Sequence, residues 1–322
     1  AWYLSKERPM NMVTVDKTVH TLERNEHRSF NWLQTHYKYV QRDNGQLYNN
    51  FSDYYGFFPL KPLEEKEFEI HDLDTLSESR LDSMSKALDM VFFTDLYGVY
   101  YNEWYRDTLE TEHTEKIYGG MSENDFLLLE KMKARKKLIV TEFNLIASPT
   151  PWTLRKKTER LFGIEWSGWT CRYFDLLDTL KNEELPHWVV RLYKEQHNGQ
   201  WPFTKAGIVY VHLDERIAIL EKKTDLEVEV PFIYTSPEGQ EKYGLPKKIH
   251  YPYWHDIMYS TDINKVMASY KIRPNARGDS ILRHYGIPDE YPTFIEHDEK
   301  DYKFYYFAGD FSDNPVTLYS AY

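Results

Sequence analysis

Short apolar runs that end on polar residues alternate with helical patterns in the first half of the chain. The runs cover residues 12–15, 88–93 and 138–140, and charged or hydroxyl side chains follow each one before the next helical pattern begins. Strands separated by helices usually pair in parallel, because the helix provides the crossover that parallel strands need. The alternation therefore predicts an α/β fold with a doubly wound, mostly parallel sheet.

Capping residues indicate where several of these helices begin and end. A first helix is expected over 23–40, and Ser122 is a good N-cap for a later one. The turn TEFNLIASPT at 141–150 leads to Pro151, which suits the first position of a helix, and Gly163 is expected to end that helix. The run at 138–140 and this helix thus form a strand–turn–helix junction.

The second half of the chain is richer in strands. Residues 207–211 and 217–220 flank a polar turn and predict a hairpin, as do 291–295 and 303–307. These strands favour a β-rich C-terminal extension of the sheet.

No low-complexity linker divides the 322 residues, whose number suits one large domain or two small ones. We therefore predict a single compact domain over 1–322. Its α/β core would cover 10–175, and a β-rich completion would cover 176–322.

Composition excludes several kinds of function. The formal net charge of -11 argues against a nucleic-acid partner and against an anionic lipid surface. The only cysteine, Cys171, rules out an intrachain disulfide and a cysteine-rich zinc site. The 12 histidines show no H-x-x-x-H or H-E-x-x-H pattern. We expect neither a metal nor another cofactor.

Acidic side chains follow the predicted strands at Asp16, Asp95 and Glu142. The carboxyl ends of parallel strands share one edge of a sheet, where ligands commonly bind. Two carboxyl groups in a cleft can act as acid and base or as nucleophile in glycoside chemistry, and they can also bind a hard cation such as Ca²⁺ or Mg²⁺. Alternatively, these groups only cap the following helices and bind loop amides.

Aromatic side chains and an arginine crowd around Gly168, with Trp169 and Arg172 among them. Such groups form sugar platforms or interface anchors, and they also pack cores with arginine stacked on a ring. Cys171 lies between these two residues and is the only candidate thiol nucleophile. A single cysteine beside aromatic residues is more often a small buried hydrophobic group.

Several segments resemble class I glutamine amidotransferase-like domains: 125–127 (DFL), 137–140 (KLIV), 161–164 (LFGI) and the ending 291–310. The ending is similar to the last hairpin of non-catalytic members such as ThuA-like proteins. The resemblance implies a flavodoxin-like, doubly wound fold.

The resemblance stops at the catalytic residues. Those enzymes carry a nucleophilic cysteine in a Gly-x-Cys-x-Gly elbow, whereas this chain has Thr141-Glu142-Phe143-Asn144-Leu145 at that place. Their catalytic His-x-Glu pattern occurs once in this chain, at 297–299 (HDE), in a predicted hairpin turn. Loss of the cysteine machinery is therefore expected.

Other segments are similar to a group of bacterial membrane-anchored proteins: 16–19 (DKTV), 26–27 (EH), 53–59 (DYYGFFP), 94–100 (TDLYGVY) and 166–174 (WSGWTCRYF). That likeness implies a location in the cell envelope, on the extracytoplasmic face of a bacterial membrane. The chain starts at Ala1 without an initiator Met, so we expect that an anchor or signal upstream has been removed.

These observations lead to three hypotheses on function. The first is a domain without the catalytic cysteine that binds a glycan or an envelope protein in a strand-end crevice. The second is a glycan-directed hydrolase with Glu142 and Asp95 as its carboxylate pair. The third is a structural subunit of a membrane assembly for export or polymer synthesis. The candidate binding residues are Asp16, Asp95, Tyr97, Glu142, Asn144, Trp169 and Arg172.

Overall fold

The structure, a computed structural model, describes residues 2–61, 65–105, 115–228 and 230–313. The chain divides into two compact units. Among the described residues, the first comprises 2–61, 65–105, 115–162 and 297–313, and the second comprises 163–228 and 230–296.

The strands occupy both units. In chain order they are β1 (Arg8–Pro9), β2 (Met12–Asp16), β3 (Tyr39–Val40), β4 (Tyr54–Lys61), β5 (Glu67–His71), β6 (Met90–Phe93), β7 (Val99–Tyr100), β8 (Lys116–Tyr118), β9 (Leu138–Thr141), β10 (Ile164–Phe174), β11 (Gly207–His212), β12 (Ile217–Glu221), β13 (Phe232–Thr235), β14 (Lys248–His250), β15 (His255–Ser260), β16 (Lys265–Lys271), β17 (Glu290–Asp298) and β18 (Lys303–Phe307).

The helices are fewer. They are α1 (Arg28–His36), α2 (Glu78–Ala87), α3 (Tyr101–Tyr105), α4 (Glu123–Ala134), α5 (Trp152–Phe162), α6 (His187–Gln196), α7 (Pro237–Tyr243) and α8 (Ala276–Tyr285), with 3-10 turns at Trp2–Leu4, Asn25–His27 and Leu73–Thr75. None of the described helices has the length and apolar character needed to cross a bilayer.

The first unit contains a mostly parallel sheet in the strand order β18-β9-β6-β2-β4-β5. The four pairs from β18 to β4 are parallel, and only β4 and β5 pair antiparallel. This confirms the mixed α/β fold with a mostly parallel sheet. The outermost parallel strand, β18, comes from the end of the described chain.

The register places the ends of four strands at one level. Val15 pairs with Phe93, Phe93 with Thr141, and Thr141 with Tyr306. Packing on one face helps to hold β18 in place, since Phe162 at the end of α5 stacks on Phe304 with ring centroids 4.1 Å apart. Residues that follow these four strands therefore emerge at the same edge of the sheet.

Capping chemistry agrees with several predicted helix limits. Ser122 caps α4 in a capping box with Asp125. Gly163 follows the end of α5 with a φ of 65°. The helix expected over 23–40 is shorter, because the left-handed residues Arg24 and Lys38, with φ of 50° and 53°, bound the helical segment on either side.

The second unit is β-rich, as expected. One antiparallel sheet has the order β12-β11-β10-β15, and its β11–β12 pair is the predicted hairpin at 207–220. A second antiparallel group follows the order β14-β13-β16-β17. The unit begins at Gly163, whereas we expected the α/β core to continue to residue 175, because β10 pairs with β11 and β15.

Gly56 is where β4 passes closest to the end of β2. It pairs with Asp16 and has a φ of 151°, and a Cβ added there would lie 1.6 Å from the Asp16 carbonyl oxygen. Only glycine therefore allows the two strands to approach at this point. The position of Asp16 depends on this contact.

We expect Gly56→Ala to destabilise the protein by about 3 kcal/mol or more, because the methyl group must displace backbone. Urea unfolding followed by circular dichroism measures the change. Gly45→Ala is the matched control, since Gly45 also has a positive φ, 70°, but open space around its Cβ position. A similar loss in both variants would show that backbone conformation, and not the strand contact, is responsible.

Candidate functional site

Each of four adjacent parallel strands in the first unit is ended or followed by an acidic residue. Asp16 is the last residue of β2, Asp95 follows β6, Glu142 follows β9, and Asp310 follows β18. Sequence reasoning named the first three. It missed Asp310 as a candidate, because nothing local shows that β18 lies beside β9. We call these four side chains the strand-end carboxyls.

Asp16 is fully buried and lies in hydrogen-bond contact with His27. Its Oδ2 lies 2.6 Å from His27 Nδ1, and its Oδ1 accepts a bond of 3.1 Å from the Thr18 amide. The other ring nitrogen of His27 lies 3.0 Å from the carbonyl oxygen of Asn50. Because a carbonyl oxygen can only accept, the ring nitrogen is the donor of this bond, and the imidazole is held between Asn50 and Asp16.

Asp95 forms hydrogen bonds with the loops that follow β2, β6 and β9 at the sheet edge. Its Oδ1 accepts from the Tyr97 amide at 2.6 Å and from Asn144 Nδ2 at 3.1 Å. Its carbonyl oxygen accepts from the Lys17 amide at 3.0 Å and from the Thr18 hydroxyl at 3.2 Å. Burial is the largest cause that raises the pKa of Asp95, to about 8, and the negative charge of Asp16 adds to it.

Glu142 is held by a segment at the end of the described chain. Its Oε2 accepts a bond of 3.2 Å from the amide of Ser312, and only 6% of the residue is exposed. Burial raises the pKa of this carboxyl to about 8, with further contributions from Asp16 and Asp95. The described hydrogen bond thus ties Glu142 to the chain after β18 and not to the amino end of α5.

Asp310 and Glu26 extend the acidic group. Burial, followed by the charges of Asp95, Asp313 and Glu142, raises the pKa of Asp310 well above its ordinary value. The pKa of Glu26 is also raised, first by burial and then by Asp16. Counted as a whole residue, Asp310 is half-buried, whereas the other three strand-end residues are buried.

Raised pKa values give these acids an unusual chemistry at neutral pH. A protonated carboxyl group both donates and accepts hydrogen bonds, and one with a pKa near 8 can also transfer its proton. Within the described parts of the chain, no three or more His, Cys, Asp or Glu side chains are arranged to hold a metal ion. The arrangement is thus suited to hydrogen bonding and to proton transfer.

Two neighbouring candidates border this group. Asn144 adopts a left-handed conformation with a φ of 60°, which brings its amide to Asp95. Tyr97 is half-buried, and its ring lies 4.8 Å from that of Tyr100. Burial is the first cause that raises the pKa of the Tyr97 hydroxyl.

Trp169 and Arg172, the remaining candidates, lie on β10 in the second unit. Trp169 is 2% exposed, and its ring packs against His212 and Tyr285. Arg172 forms an ion pair with Glu184. The described contacts therefore connect these two residues to their own unit, and only the other five candidates are grouped at the strand ends.

Cys171 is buried in the second unit between polar side chains. Its sulfur lies 3.2 Å from His255 Nε2 and 3.3 Å from the Tyr291 hydroxyl. Burial raises the pKa of the thiol and lowers the pKa of His255 to about 4, so both groups are neutral. A neutral thiol without solvent access is a poor nucleophile.

The His-x-Glu match at 297–299 does not form a catalytic pair in the described contacts. His297 Nε2 lies 2.9 Å from Asp301, and its ring stacks on Tyr302 with centroids 3.8 Å apart. These contacts hold the turn between β17 and β18.

No protein-family model matches the chain, and neither does any curated protein sequence. Among solved structures, a Bacteroides uniformis protein described as ThuA-like matches with a TM-score of 0.43 and 10% identity, over 95% of this chain and 84% of that one. A Parabacteroides merdae protein with the same description matches with a TM-score of 0.41 and 8% identity, over 94% and 79%. Function must therefore be argued from the residues of this chain.

We expect the stability of Glu142→Gln relative to the wild type to increase with pH. The ordinary pKa of this carboxyl is 4.5, and its folded value is about 8. The folded state therefore binds more protons than the unfolded state between these values, and wild-type stability falls as the pH rises, by up to about 1.4 kcal/mol per pH unit. Glutamine stays neutral and can still accept the Ser312 bond.

Urea unfolding at pH 5, 7 and 9 tests this expectation. Glu130→Gln is the control, because it removes the same charge from an exposed position on α4. The difference in the free energy of unfolding between each variant and the wild type is compared at the three pH values. If this difference stays constant with pH for Glu142→Gln as it does for Glu130→Gln, Glu142 does not carry an extra proton in the folded state.

We also expect Cys171 to resist a thiol-reactive dye in the folded protein and to react fully in urea. Its 0% exposure and raised pKa both disfavour the thiolate that such dyes attack. Absorbance of the released dye group measures the two rates. Equal rates in the folded and unfolded protein would contradict the burial of this side chain.

Proposed function

We propose that the first unit binds an uncharged, hydroxyl-rich ligand such as a glycan at the strand-end carboxyls. The observation that carries the proposal is the set of four acidic side chains at one sheet edge, three of them with raised pKa values. A sugar hydroxyl donates and accepts hydrogen bonds, and a protonated carboxyl group offers both functions in one side chain.

The protonation state also argues for an uncharged ligand. Ionised carboxylates would repel phosphates and sulfates, and protonated ones offer no charge to attract a cation. Asp310 and Tyr97 are partly exposed, whereas Asp95 and Glu142 lie deeper. A ligand would therefore meet the first pair and reach the second through them.

Glycan hydrolysis is a second candidate. It is favoured by the pKa values of Asp95 and Glu142, both about 8, because a general acid works best when its pKa is near the working pH. Asp95 would donate its proton to the leaving oxygen, and Glu142, after losing its own proton to solvent, would act as the nucleophile or as the base that activates water. An envelope location belongs to the same proposal and rests on the sequence resemblance to membrane-anchored proteins.

Calorimetric titration with neutral envelope oligosaccharides tests the binding proposal. We expect Asp95→Ala and Glu142→Ala to weaken binding by about tenfold or more. Each substitution removes from a buried site a carboxyl group that can both donate and accept a hydrogen bond. Wild-type binding should weaken above pH 8, as the carboxyls ionise. Glu142→Gln should retain binding and lose part of this pH dependence, because its amide always donates and accepts.

Release of reducing ends separates the two candidates. If the site hydrolyses glycans, Glu142→Gln should bind the oligosaccharide and fail to cleave it, because an amide can serve neither as the nucleophile nor as the base. If the site only binds, neither protein should release reducing ends. The proposal is refuted if the wild type does not bind the oligosaccharides. It is also refuted if both alanine variants bind them as tightly as the wild type does.

A further inference from the structure

The second unit contains a pocket of about 290 Å³ beside the end of β10. Arg172, Tyr173 and Phe174 of β10 line it, and Arg172 and Phe174 lie on the same face of the strand, since alternate residues of a strand point the same way. Further lining comes from the segment 175–184 and from Pro252 and Tyr253. Ligand pockets usually measure about 300–1,000 Å³, so this one suits a ligand with a single ring.

Arg172 brings an unsatisfied donor to this pocket. Its Nε is buried and has no hydrogen-bond acceptor among the residues that the structure describes. The guanidinium group lies over the ring of Phe174, with Cζ 4.7 Å from the centroid, and this stacking fixes its plane. A buried N–H group without an acceptor is unfavourable, so a ligand acceptor at Nε would be stabilised.

The present partner of the arginine is easily displaced. Nη2 of Arg172 donates to Glu184, whose side chain is 71% exposed, whereas that of Arg172 is 20% exposed. An exposed ion pair of this kind contributes little to stability. The other cation of the pocket, Lys181, already lies 3.1 Å from Asp178. Arg172 is therefore the cation that a ligand can recruit.

We propose that this pocket binds a ring-sized organic carboxylate. One carboxylate oxygen accepts from Nε of Arg172 and the other from Nη2, in the two-bond geometry that guanidinium and carboxylate groups favour. The ring of the ligand packs on Tyr253, which is 39% exposed. The pocket uses none of the strand-end carboxyls.

Calorimetric titration of the full chain with benzoate tests this inference, with benzyl alcohol as the neutral probe of the same shape. Benzoate has no hydroxyl groups, so its binding is separate from that of a glycan in the first unit. We expect benzoate to bind at millimolar concentration and benzyl alcohol to bind at least about tenfold more weakly, because only benzoate forms charge-assisted bonds.

Three variants of the second unit complete the test. Arg172→Gln should weaken benzoate binding about tenfold or more, and Glu184→Gln should strengthen it several-fold by removing the competing carboxylate. Arg191→Gln, which breaks an ion pair with Glu195 on α6, is the control and should leave binding unchanged. Circular dichroism reports whether each variant is folded.

Glu184→Gln decides the question even if Arg172→Gln fails to fold, because position 184 is exposed. Tighter benzoate binding in that variant supports the pocket. The inference is overturned if benzoate does not bind the wild type, if folded Arg172→Gln binds it equally well, or if Glu184→Gln binds it no more tightly.

Discussion

Parallel pairing in register brings acidic side chains from distant parts of the sequence to one buried edge. The register places four strand-end residues at one level, namely Val15, Phe93, Thr141 and Tyr306. The polar residues that follow them therefore lie near one another at the same edge of the sheet. Ionised carboxyls in such a place would repel one another and lack hydration. Burial and mutual repulsion raise the pKa values of Asp95, Glu142 and Asp310. The protons that these three groups retain give the site its proposed ability to bind hydroxyl groups.

Hydrogen bonds and one close strand contact stabilise this cluster of buried acidic groups. His27 contacts Asp16 at hydrogen-bond distance, and backbone amides or an amide side chain bind Asp95 and Glu142. Gly56 lets β4 approach the carbonyl group of Asp16. The hydrogen bonds each fix one carboxyl group in position, which is what a binding site or a proton donor requires.

Sequence patterns predicted much of the first unit and part of the site. The apolar runs located β2, β6 and β9, and the strand-end rule then named Asp16, Asp95 and Glu142. Two features could not be predicted. Asp310 joins the group because β18 pairs with β9 across more than half of the chain, and Arg172 lines a pocket that loops from separate segments enclose.

By itself, the sequence determined which elements form and which acids follow the strands, since these depend on local periodicity and caps. Tertiary structure decided which of those acids meet and how strongly each keeps its proton. It also decided that Trp169 and Arg172 belong to a second compact unit. The reason is physical: pairing partners, burial and mutual repulsion depend on distances between residues that are far apart in the chain.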